Sequence, residues 1–271
     1  MAGTLFLVGT PIGNLADMSD RARHTLATVD LVAAEDTRRT GRLLAHFGIK
    51  ARVVSLFEGN ERVRTAELLR QLRDDHDVAV VSDAGMPGLS DPGYPLIRAC
   101  VDEGIAVRVV PGPSAVVTAL VVSGLAVDRF VFEGFLPRRA GDRRSRLRSL
   151  RGDPRTVVLF ESPHRLATLL RDVLVELGDR PMALARELTK LHEEVIRGRV
   201  SEVLAHLADH DLKGEVVVVI SGATEPAELD LDELAAEAKA LVAAGMKKRP
   251  AASEIARKYG VSANEIYRRL V

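Results

Sequence analysis

The feature that most constrains this chain is the stretch VAVVSDAGMPGLSDPG, which runs from Val78 to Gly93. Four consecutive apolar residues are enough for a buried strand, and the Gly, Pro, Asp and Ser residues that follow are typical of a loop. Glycines permit positive φ while Pro87 and Pro92 fix φ, so a ligand can approach the backbone of this loop. Ligands of open α/β sheets bind beyond the carboxyl ends of strands, so we predict a small-molecule site here. An ordinary strand-to-helix turn fits the stretch equally well.

Strand-like and helix-like segments alternate through residues 1–112, which we predict to form an N-terminal α/β lobe. Its predicted strands are TLFLVG, DLVAAED, RVVSLF, VAVV and AVRVVPG. Ser19 is placed to cap the first helix, and Gly48 to end the second. Because the strands are apolar throughout, they predict a mostly parallel sheet with helices on both faces.

Residues 113–223 have more strands per helix and predict a second lobe with a mixed or antiparallel sheet. The predicted strands are FVFEGFLP, TVVLFES, MALARELT and EVVVVISG, whereas EVIRGRV is predicted to be a turn. Residues 224–232 are acidic and contain proline, which indicates a linker.

The last segment, residues 233–271, has the outline of a basic helix-turn-helix module. Gly260 marks the turn, and Ser262 with Glu265 predicts a capping box at the start of the following helix. The predicted core of the module consists of Ile255, Ala256, Val261, Ile266 and Leu270. A helical hairpin that only packs or dimerises is the alternative.

The formal net charge of zero hides two basic segments. Arg138 to Arg155 contains eight Arg and two Asp, and Met246 to Val271 contains seven basic and two acidic residues. Two local basic patches on an otherwise acidic body predict a polyanionic partner that is met at particular places. For the first segment, a solvated and mobile loop is the alternative.

The cellular compartment is predicted from what the sequence lacks. The single Cys100 cannot form an intramolecular disulfide, which fits a reducing compartment. The N-terminus has no signal-peptide pattern, and the longest apolar run, Ala115 to Val127, is too short to span a bilayer. We therefore expect a cytoplasmic protein with no membrane partner.

The commonest catalytic motifs are missing, namely Walker A, GxSxG, HExxH, GxGxxG and paired cysteines. What remains is a set of strand-end loops rich in small residues, at residues 9–14, 83–93, 111–115, 134–137 and 161–165. Such loops suit a ligand that is held mainly by main-chain groups, with a few carboxylates and hydroxyls. S-adenosylmethionine is such a ligand, because it combines a zwitterionic amino acid, a ribose and an adenine.

Eight motifs, in order along nearly the whole chain, carry a resemblance to a known family: LFLVGTPIGNLADMSDRA, AAEDTRRT, VVSDAGMPGLSDPG, PGPSA, FEGFLPRR, FESPHR, ARELTKLHEEVIRG and KGEVVVVISG. Together they resemble the ribosomal RNA small subunit methyltransferase I family. That family consists of 2′-O-ribose methyltransferases within the tetrapyrrole-methylase superfamily of class III methyltransferases, which depend on S-adenosylmethionine.

The resemblance implies a two-lobed tetrapyrrole-methylase-like α/β fold, a homodimer, and S-adenosylmethionine as the methyl donor with no metal. It implies that the enzyme methylates the ribose 2′-hydroxyl of a cytidine in the decoding region of 16S rRNA. The RNA partner is either free small-subunit rRNA or the assembled small subunit.

The resemblance also implies site residues. The predicted cofactor-binding residues are Gly9, Thr10, Pro11, Asp83, Ala84, Gly85, Met86, Ser90, Ser114, Ala115, Phe160, Glu161 and Ser162. Met86 departs from the family, which usually has Thr at this position; the departure affects a hydroxyl contact and leaves main-chain contacts intact.

Asp36, Arg38, Asp83 and Lys190 are the predicted catalytic residues, with Asp36 and Arg38 orienting the nucleotide. An ion pair that caps a helix is the alternative for Asp36 and Arg38. A base must take the proton of the hydroxyl, and Asp91, His164 and Glu187 are further candidates for it.

The two basic segments supply the predicted RNA-binding residues, which are Arg138, Arg139, Arg143, Arg144, Arg146, Lys247, Lys248, Arg268 and Arg269. Two other functions stay open. A methyltransferase of a small tetrapyrrole would share the fold, but it would not need the basic segments. A ligand-sensing DNA-binding regulator would bind duplex DNA sequence-specifically and transfer no methyl group.

Overall fold

The N-terminal sheet has five strands in the order β3-β2-β4-β1-β5, and all its strand pairs are parallel. The computed structural model describes residues 2–209, 214–224 and 230–271. The strands are β1 (Leu5–Val8), β2 (Leu31–Ala34), β3 (Val53–Ser55), β4 (Val78–Val81) and β5 (Val107–Val110). The helices are α1 (Asp20–Thr28), α2 (Thr37–His46), α3 (Glu61–Arg73), α4 (Tyr94–Asp102) and α5 (Ala115–Ser123), with a 3-10 helix at Leu15–Asp17.

Each face of this sheet is buried by its own helices. Leu5 and Leu7 of β1 lie in one cluster with Leu68 of α3 and Leu96 of α4. Alternate strand residues, together with α1 and α2, form a second cluster on the other face. Because both faces are buried, the central strands β1, β2 and β4 are apolar at every position, whereas the edge strands β3 and β5 each contain one polar residue, Ser55 and Arg108. The predicted doubly covered parallel sheet is confirmed.

The predicted helix ends are confirmed as well. The Ser19 side chain accepts a hydrogen bond from the Ala22 N–H at 3.1 Å, which satisfies one of the free amides at the start of α1. Gly48, just beyond α2, has a φ of +67°, the left-handed conformation in which helices commonly end.

The second sheet has the order β6-β7-β10-β8-β9 and is mixed, as predicted. β6 and β7 are parallel, whereas β7 and β10 are antiparallel. The strands are β6 (Phe130–Phe135), β7 (Thr156–Glu161), β8 (Pro181–Arg186), β9 (Glu194–Arg199) and β10 (Val216–Ile220). The helices are α6 (Ala140–Ser149), α7 (Pro163–Glu176) and α8 (Val200–Asp209), and one apolar cluster joins them to β7, β8 and β10.

One predicted turn is wrong. The segment EVIRGRV forms the strand β9, which is an edge of the second sheet. An edge strand is half-exposed, so its sequence mixes charged and apolar residues and lacks the apolar run of a central strand.

The chain ends in three helices, α9 (Leu231–Ala243), α10 (Lys248–Tyr259) and α11 (Ala263–Leu270). The predicted core is confirmed, since Ile255, Ala256, Ile266 and Leu270 are buried in one cluster against which Val261 packs. Gly260 ends α10 with a φ of +68°. The predicted capping box does not form, because the Ser262 side chain makes no capping hydrogen bond and its carbonyl accepts the Glu265 N–H.

By its internal contacts the chain divides into two units, Met1–Val122 with Ala185–Glu194, and Ser123–Leu184 with Val195–Val271. The predicted boundaries, at residues 112, 223 and 232, stay predictions. Residues 225–229 of the predicted linker lie outside the described residues. Within the described ranges, no helix is both long enough and apolar enough to cross a bilayer.

Candidate active site

Three of the predicted loops meet at the carboxyl edge of the first sheet, because β4, β1 and β5 are neighbouring strands. Thr10 and Gly85 form an antiparallel bridge in which each N–H donates to the other's carbonyl, at 2.9 and 3.1 Å. Gly9 lies so near Gly112 that a Cβ on Gly9 would be 2.6 Å from the Gly112 N and Cα. Only glycine allows these strand ends to approach so closely.

The loop after β4 has an unusual backbone. Gly85, Gly88 and Gly93 have positive φ values of 83°, 82° and 125°, and so does Ser90, at 63°. A side-chain-bearing residue with positive φ is uncommon and is often found at a functional site. Ser90 is also exposed, so its hydroxyl is accessible to a ligand.

The ends of β2 and β4 are joined through carboxylates. The Asp83 N–H donates to Glu35 Oε2, and the Asp36 N–H donates to Asp83 Oδ1, each at 3.1 Å. Arg39 forms an ion pair with Asp83 Oδ2 at 3.2 Å. The structure therefore brings the predicted residues Asp36 and Asp83 together. Glu35 and Arg39 belong to the same cluster and were not predicted, although Glu35 lies at the exit of a strand.

Asp36 and Arg38 form a helix cap, which was the structural alternative to their predicted catalytic role. Asp36 Oδ1 accepts from the backbone N–H groups of Arg38 and Arg39 at 2.8 and 3.4 Å. The Arg38 guanidinium donates to the same carboxylate and holds the pKa of Asp36 at about 2. Asp36 is therefore ionised at neutral pH, and its catalytic role stays a prediction.

Two other carboxyl groups at this edge have raised pKa values. The pKa of Asp91 is raised to about 6, chiefly by burial and also by the charges of Glu35 and Asp83, while a hydrogen bond with Ser82 opposes the shift. Burial and the nearby Asp83 charge also raise the pKa of Glu35. A pKa of about 6 lies near neutral pH, so Asp91 suits a group that exchanges protons.

The predicted residue Lys190 lies beside the loop that follows β1. Its Nζ donates to Glu187 Oε1 at 2.9 Å, and a Cβ on Gly13 would be 2.5 Å from Lys190 Cγ. Glu187 and Thr189 have positive φ values of 49° and 66°. Among the described residues the buried Thr189 hydroxyl has no hydrogen-bond partner, so a ligand could supply one.

The position that departs from the family, Met86, lies at the same strand ends. A Cβ on Gly9 would be 2.8 Å from Met86 Sδ, so the thioether packs against the end of β1. The neighbouring predicted residues Ser114 and Ala115 begin α5, where the Ser114 carbonyl accepts from the Thr118 N–H at 2.9 Å. Pro113 is near as well, since a Cβ on Gly85 would be 3.5 Å from its carbonyl oxygen.

The remaining predicted cofactor residues lie in the second unit, where β7 leads into α7. The Glu161 carboxylate is buried, accepts from the Ser162 N–H at 2.8 Å and pairs with Arg165 at 3.2 Å. The Phe160 ring packs on Phe132 with the ring centroids 5.0 Å apart. The Glu161 side chain thus stabilises the start of α7, and the predicted cofactor contacts of these residues stay predictions.

The arginine-rich segment folds mostly into α6, so the alternative of a mobile loop is wrong for residues 140–149. From Arg143 onward, its guanidinium groups are paired with carboxylates of the same unit. Arg143 and Arg144 both pair with Asp172 at 2.6 Å, and Arg146 pairs with Glu133 at 2.6 Å. Arg143 is only 6% exposed, which disfavours its predicted contact with RNA.

The other predicted RNA-binding residues lie at the surface. Arg138 and Arg139 precede α6, Lys247 and Lys248 begin α10, and all four are exposed. Arg268 and Arg269 are exposed in the last turn of α11, where Arg269 pairs with Asp232 at 2.8 Å. Their contact with RNA stays a prediction.

Residues 4–204 match the family model of tetrapyrrole (corrin/porphyrin) methylases. The chain therefore belongs to this family and is a methyltransferase that depends on S-adenosylmethionine. The predicted family resemblance, fold class and methyl donor are thereby confirmed.

The chain is similar to particular members of that family. It is 45% identical over 268 residues to ribosomal RNA small subunit methyltransferase I of Synechocystis sp., with 98% of this chain and 96% of the relative covered. The protein of the same name from Thermotoga maritima is 52% identical over 220 residues, with coverages of 81% and 99%. Uroporphyrin-III C-methyl transferase of Thermus thermophilus, solved with S-adenyl homocysteine, shares the fold: the TM-score is 0.57 at 18% identity, covering 81% of this chain and 97% of that one.

The residues at the first sheet's edge fit S-adenosylmethionine. A carboxylate has about four acceptor positions, and Asp83 uses one oxygen for the Asp36 amide and the other for Arg39, which leaves acceptors for ribose hydroxyls. Gly85 and Gly88 have no side chain that would block main-chain contacts. In the described part of the chain, no group of three or more His, Cys, Asp or Glu residues is arranged to hold a metal ion.

Proposed function

We propose that this enzyme methylates the ribose 2′-hydroxyl of a cytidine in the decoding region of 16S rRNA and acts as a homodimer. The observation that carries the proposal is the near-full-length identity of 45% to a relative named ribosomal RNA small subunit methyltransferase I. The cations of the second unit support a polyanionic substrate such as RNA.

The chemistry demands alignment more than activation. S-adenosylmethionine, when bound, supplies a methyl group made electrophilic by its sulfonium. The ribose oxygen forms a bond to the methyl carbon, the carbon–sulfur bond breaks, and the hydroxyl proton leaves. The task of the chain is to hold the hydroxyl in line with that bond and to receive the proton.

We assign these tasks to the clustered side chains. Asp83 accepts hydrogen bonds from the cofactor, and Arg39 fixes its carboxylate at 3.2 Å. Asp36 and Arg38 orient the nucleotide as a rigid pair, and Lys190, held by Glu187 at 2.9 Å, contributes a positive charge. Among the carboxyl groups, Asp91 has a pKa of about 6, which suits a proton acceptor better than the value of about 2 for Asp36.

The test is methyl transfer to small ribosomal subunits from a strain that lacks this enzyme. Labelled S-adenosylmethionine should place its methyl group on the ribose of one cytidine of 16S rRNA, located by nuclease mapping and mass spectrometry. Asp83→Asn should abolish transfer, whereas Asp102→Asn, at an exposed site of the same unit, should not. Label on a base, or on a porphyrinoid with none in the subunits, would contradict the proposal.

A further inference from the structure

The second unit contains a cavity of about 600 Å³ that was not predicted as a binding site. Of the predicted site residues, Arg146 alone lines it. Its walls come from the start of β6, the end of α6, the turn before β7 and the turn after α10. Four cations line it, namely Arg129, Arg146, Arg155 and Lys258. The volume is large enough for one nucleotide unit.

Two of these cations form ion pairs with carboxylates that are more deeply buried than the cations themselves. Arg146 donates through Nε and Nη2 to Glu133, at 2.6 and 2.7 Å, and Arg155 donates through the same atoms to Asp153. The side chains of Glu133 and Asp153 are only 5% and 13% exposed, whereas those of Arg146 and Arg155 are 48% and 41% exposed.

Because of this burial pattern, the two paired guanidinium groups are hydrogen-bond donors whose orientation is fixed. A guanidinium that uses Nε and one edge of Nη2 for its carboxylate retains three N–H donors for another ligand. Because the carboxylates are buried and the guanidinium groups reach solvent, a ligand meets the cations first. The paired geometry also removes rotamer freedom that a free arginine would lose on binding.

The other two cations raise the local positive charge. Arg129 is exposed, and no carboxylate in the described ranges forms an ion pair with it. Lys258, in α10 of the C-terminal helices, donates to Glu237 at 3.2 Å and is held beside Ser145 of α6. The lining thus combines four cations with two carboxylates and is formed jointly by the second sheet's unit and its terminal helices.

We propose that this cavity binds backbone phosphates of the substrate RNA, with Arg129, Arg155 and Lys258 as contacts in addition to Arg146. The inference rests on the proposed RNA-methylating function and deepens it. A phosphate oxygen accepts from guanidinium edges that are already oriented, and each phosphate neutralised releases counterions, which makes binding salt-dependent. The C-terminal helices contribute to this site through the end of α10 and the turn after it, which lie next to α6.

The test compares Arg129→Glu with Arg171→Glu, an equal charge change at an exposed site on α7 that does not line the cavity. Neither change removes the partner of a buried carboxylate. Affinity for small-subunit RNA, from filter binding between 50 and 300 mM salt (about the range in which phosphate contacts dominate), should fall roughly tenfold in Arg129→Glu. Its plot of log affinity against log salt should flatten by about one unit or slightly less. Lys258→Gln should weaken binding in the same direction.

Calorimetry with S-adenosylmethionine separates the possible failures. Cofactor affinity should match the wild type in all three variants, and Arg171→Glu should bind RNA within about twofold of it. If Arg129→Glu and Lys258→Gln bind RNA with unchanged affinity and salt slope, the cavity proposal is overturned and the proposed function stands. If the wild type itself neither binds nor methylates small-subunit RNA, both are overturned.

Discussion

At the scale of single residues, two glycines permit the contact that brings the predicted loops together. Gly9 directly follows β1 and Gly112 lies two residues after β5, and their backbones are in contact. The obstacle to any side chain there is backbone, which cannot move aside as a flexible side chain can. A methyl group on Gly9 must therefore push apart the ends of β1 and β5, next to the residue, Thr10, that forms the bridge to Gly85.

We predict that Gly9→Ala destabilises the protein by about 1–3 kcal/mol, the usual cost of overpacking, and weakens cofactor binding at least tenfold. A Cβ at this position would lie 2.6 Å from Gly112 and 2.8 Å from Met86 Sδ. Urea unfolding and calorimetry with S-adenosylmethionine measure the two effects. The control is Gly41→Ala within α2, where nothing lies within 4 Å and helix propensity should add about 0.5–1 kcal/mol. Equal behaviour of the two variants would contradict the packing argument.

Asp91 should make stability depend on pH. Its pKa of about 6 in the folded state exceeds the value of about 3.9 expected when unfolded, so the folded state binds the proton more tightly. The free energy of unfolding should therefore fall as pH rises from about 4 to 6, and the raised pKa of Glu35 acts in the same direction.

Asp91→Asn removes this ionisation, so the urea midpoint should fall less with rising pH than it does in the wild type, and the difference should develop between about pH 4 and 6, the unfolded and folded pKa values. Asp17→Asn, at an exposed residue, is the control. If the wild-type midpoint rises with pH and the midpoint of Asp91→Asn rises identically, the raised pKa of Asp91 is excluded as a contributor to stability.

At the scale of elements, the clearest case is α6, whose arginines anchor the helix. Arg143 and Asp172 form a pair with side chains only 7% and 3% exposed, which fixes α6 on α7. Removing one partner of such a pair leaves a buried charge without compensation, and this costs far more than the pair contributes. Surface pairs of the same geometry contribute little, because water already solvates both ions.

We predict that Asp172→Ala lowers the free energy of unfolding by about 3–5 kcal/mol. Asp102→Ala, which breaks an exposed pair with Arg98, should change it by less than about 0.5 kcal/mol. Chemical denaturation measures both. A small loss for Asp172→Ala would mean that Arg143 reaches water when its partner is removed.

At the scale of the whole molecule, the terminal helices are tied to the rest of their unit through Glu237 of α9. Its carboxylate accepts from Arg148 of α6 at 2.8 Å, from Lys258 at 3.2 Å and from the Tyr259 hydroxyl at 2.7 Å. One side chain thus connects α6, α9 and α10, and Arg148 continues the network to Glu176 of α7.

Glu237→Gln keeps the shape of this side chain but removes its charge, so the terminal helices should dock more weakly. Amide hydrogen exchange in α9, α10 and α11 should become about five- to tenfold faster, while exchange in β1 and β4 stays unchanged. Glu254→Gln, at an exposed residue of α10, is the matched control. Equal exchange in the two variants would show that apolar packing alone holds these helices.

Much of the fold followed from local pattern. The runs of Val, Leu and Ala that became β1 to β5 and the cap at Ser19 are encoded in neighbouring residues, so they were predicted correctly. The edge strand β9 was missed because half-exposed strands lack the apolar run that marks central ones. The capping box predicted at Ser262 was wrong, because the Ser262 backbone carbonyl accepts the Glu265 N–H that its side chain was expected to accept.

The candidate site was also predictable only in part. Strand-end position and glycine content placed the loops at residues 9–14 and 83–93, but no local signal joined Asp83 to Glu35 and Arg39. Those contacts depend on which strands are neighbours, and strand order is a long-range property. The charge of the arginine-rich segment was read correctly, whereas the burial of Arg143 was not visible in it.

The sequence by itself determined the doubly covered sheet, the glycine-bearing loops and the family, because periodicity, turn residues and ordered motifs are properties of short segments. The tertiary structure decided which carboxylates share an edge and which arginines face water. Those outcomes depend on pairing between residues far apart in the chain: an arginine anchors its helix where it is buried with its carboxylate partner, as Arg143 is, and reaches water where only the carboxylate is buried, as at Arg146.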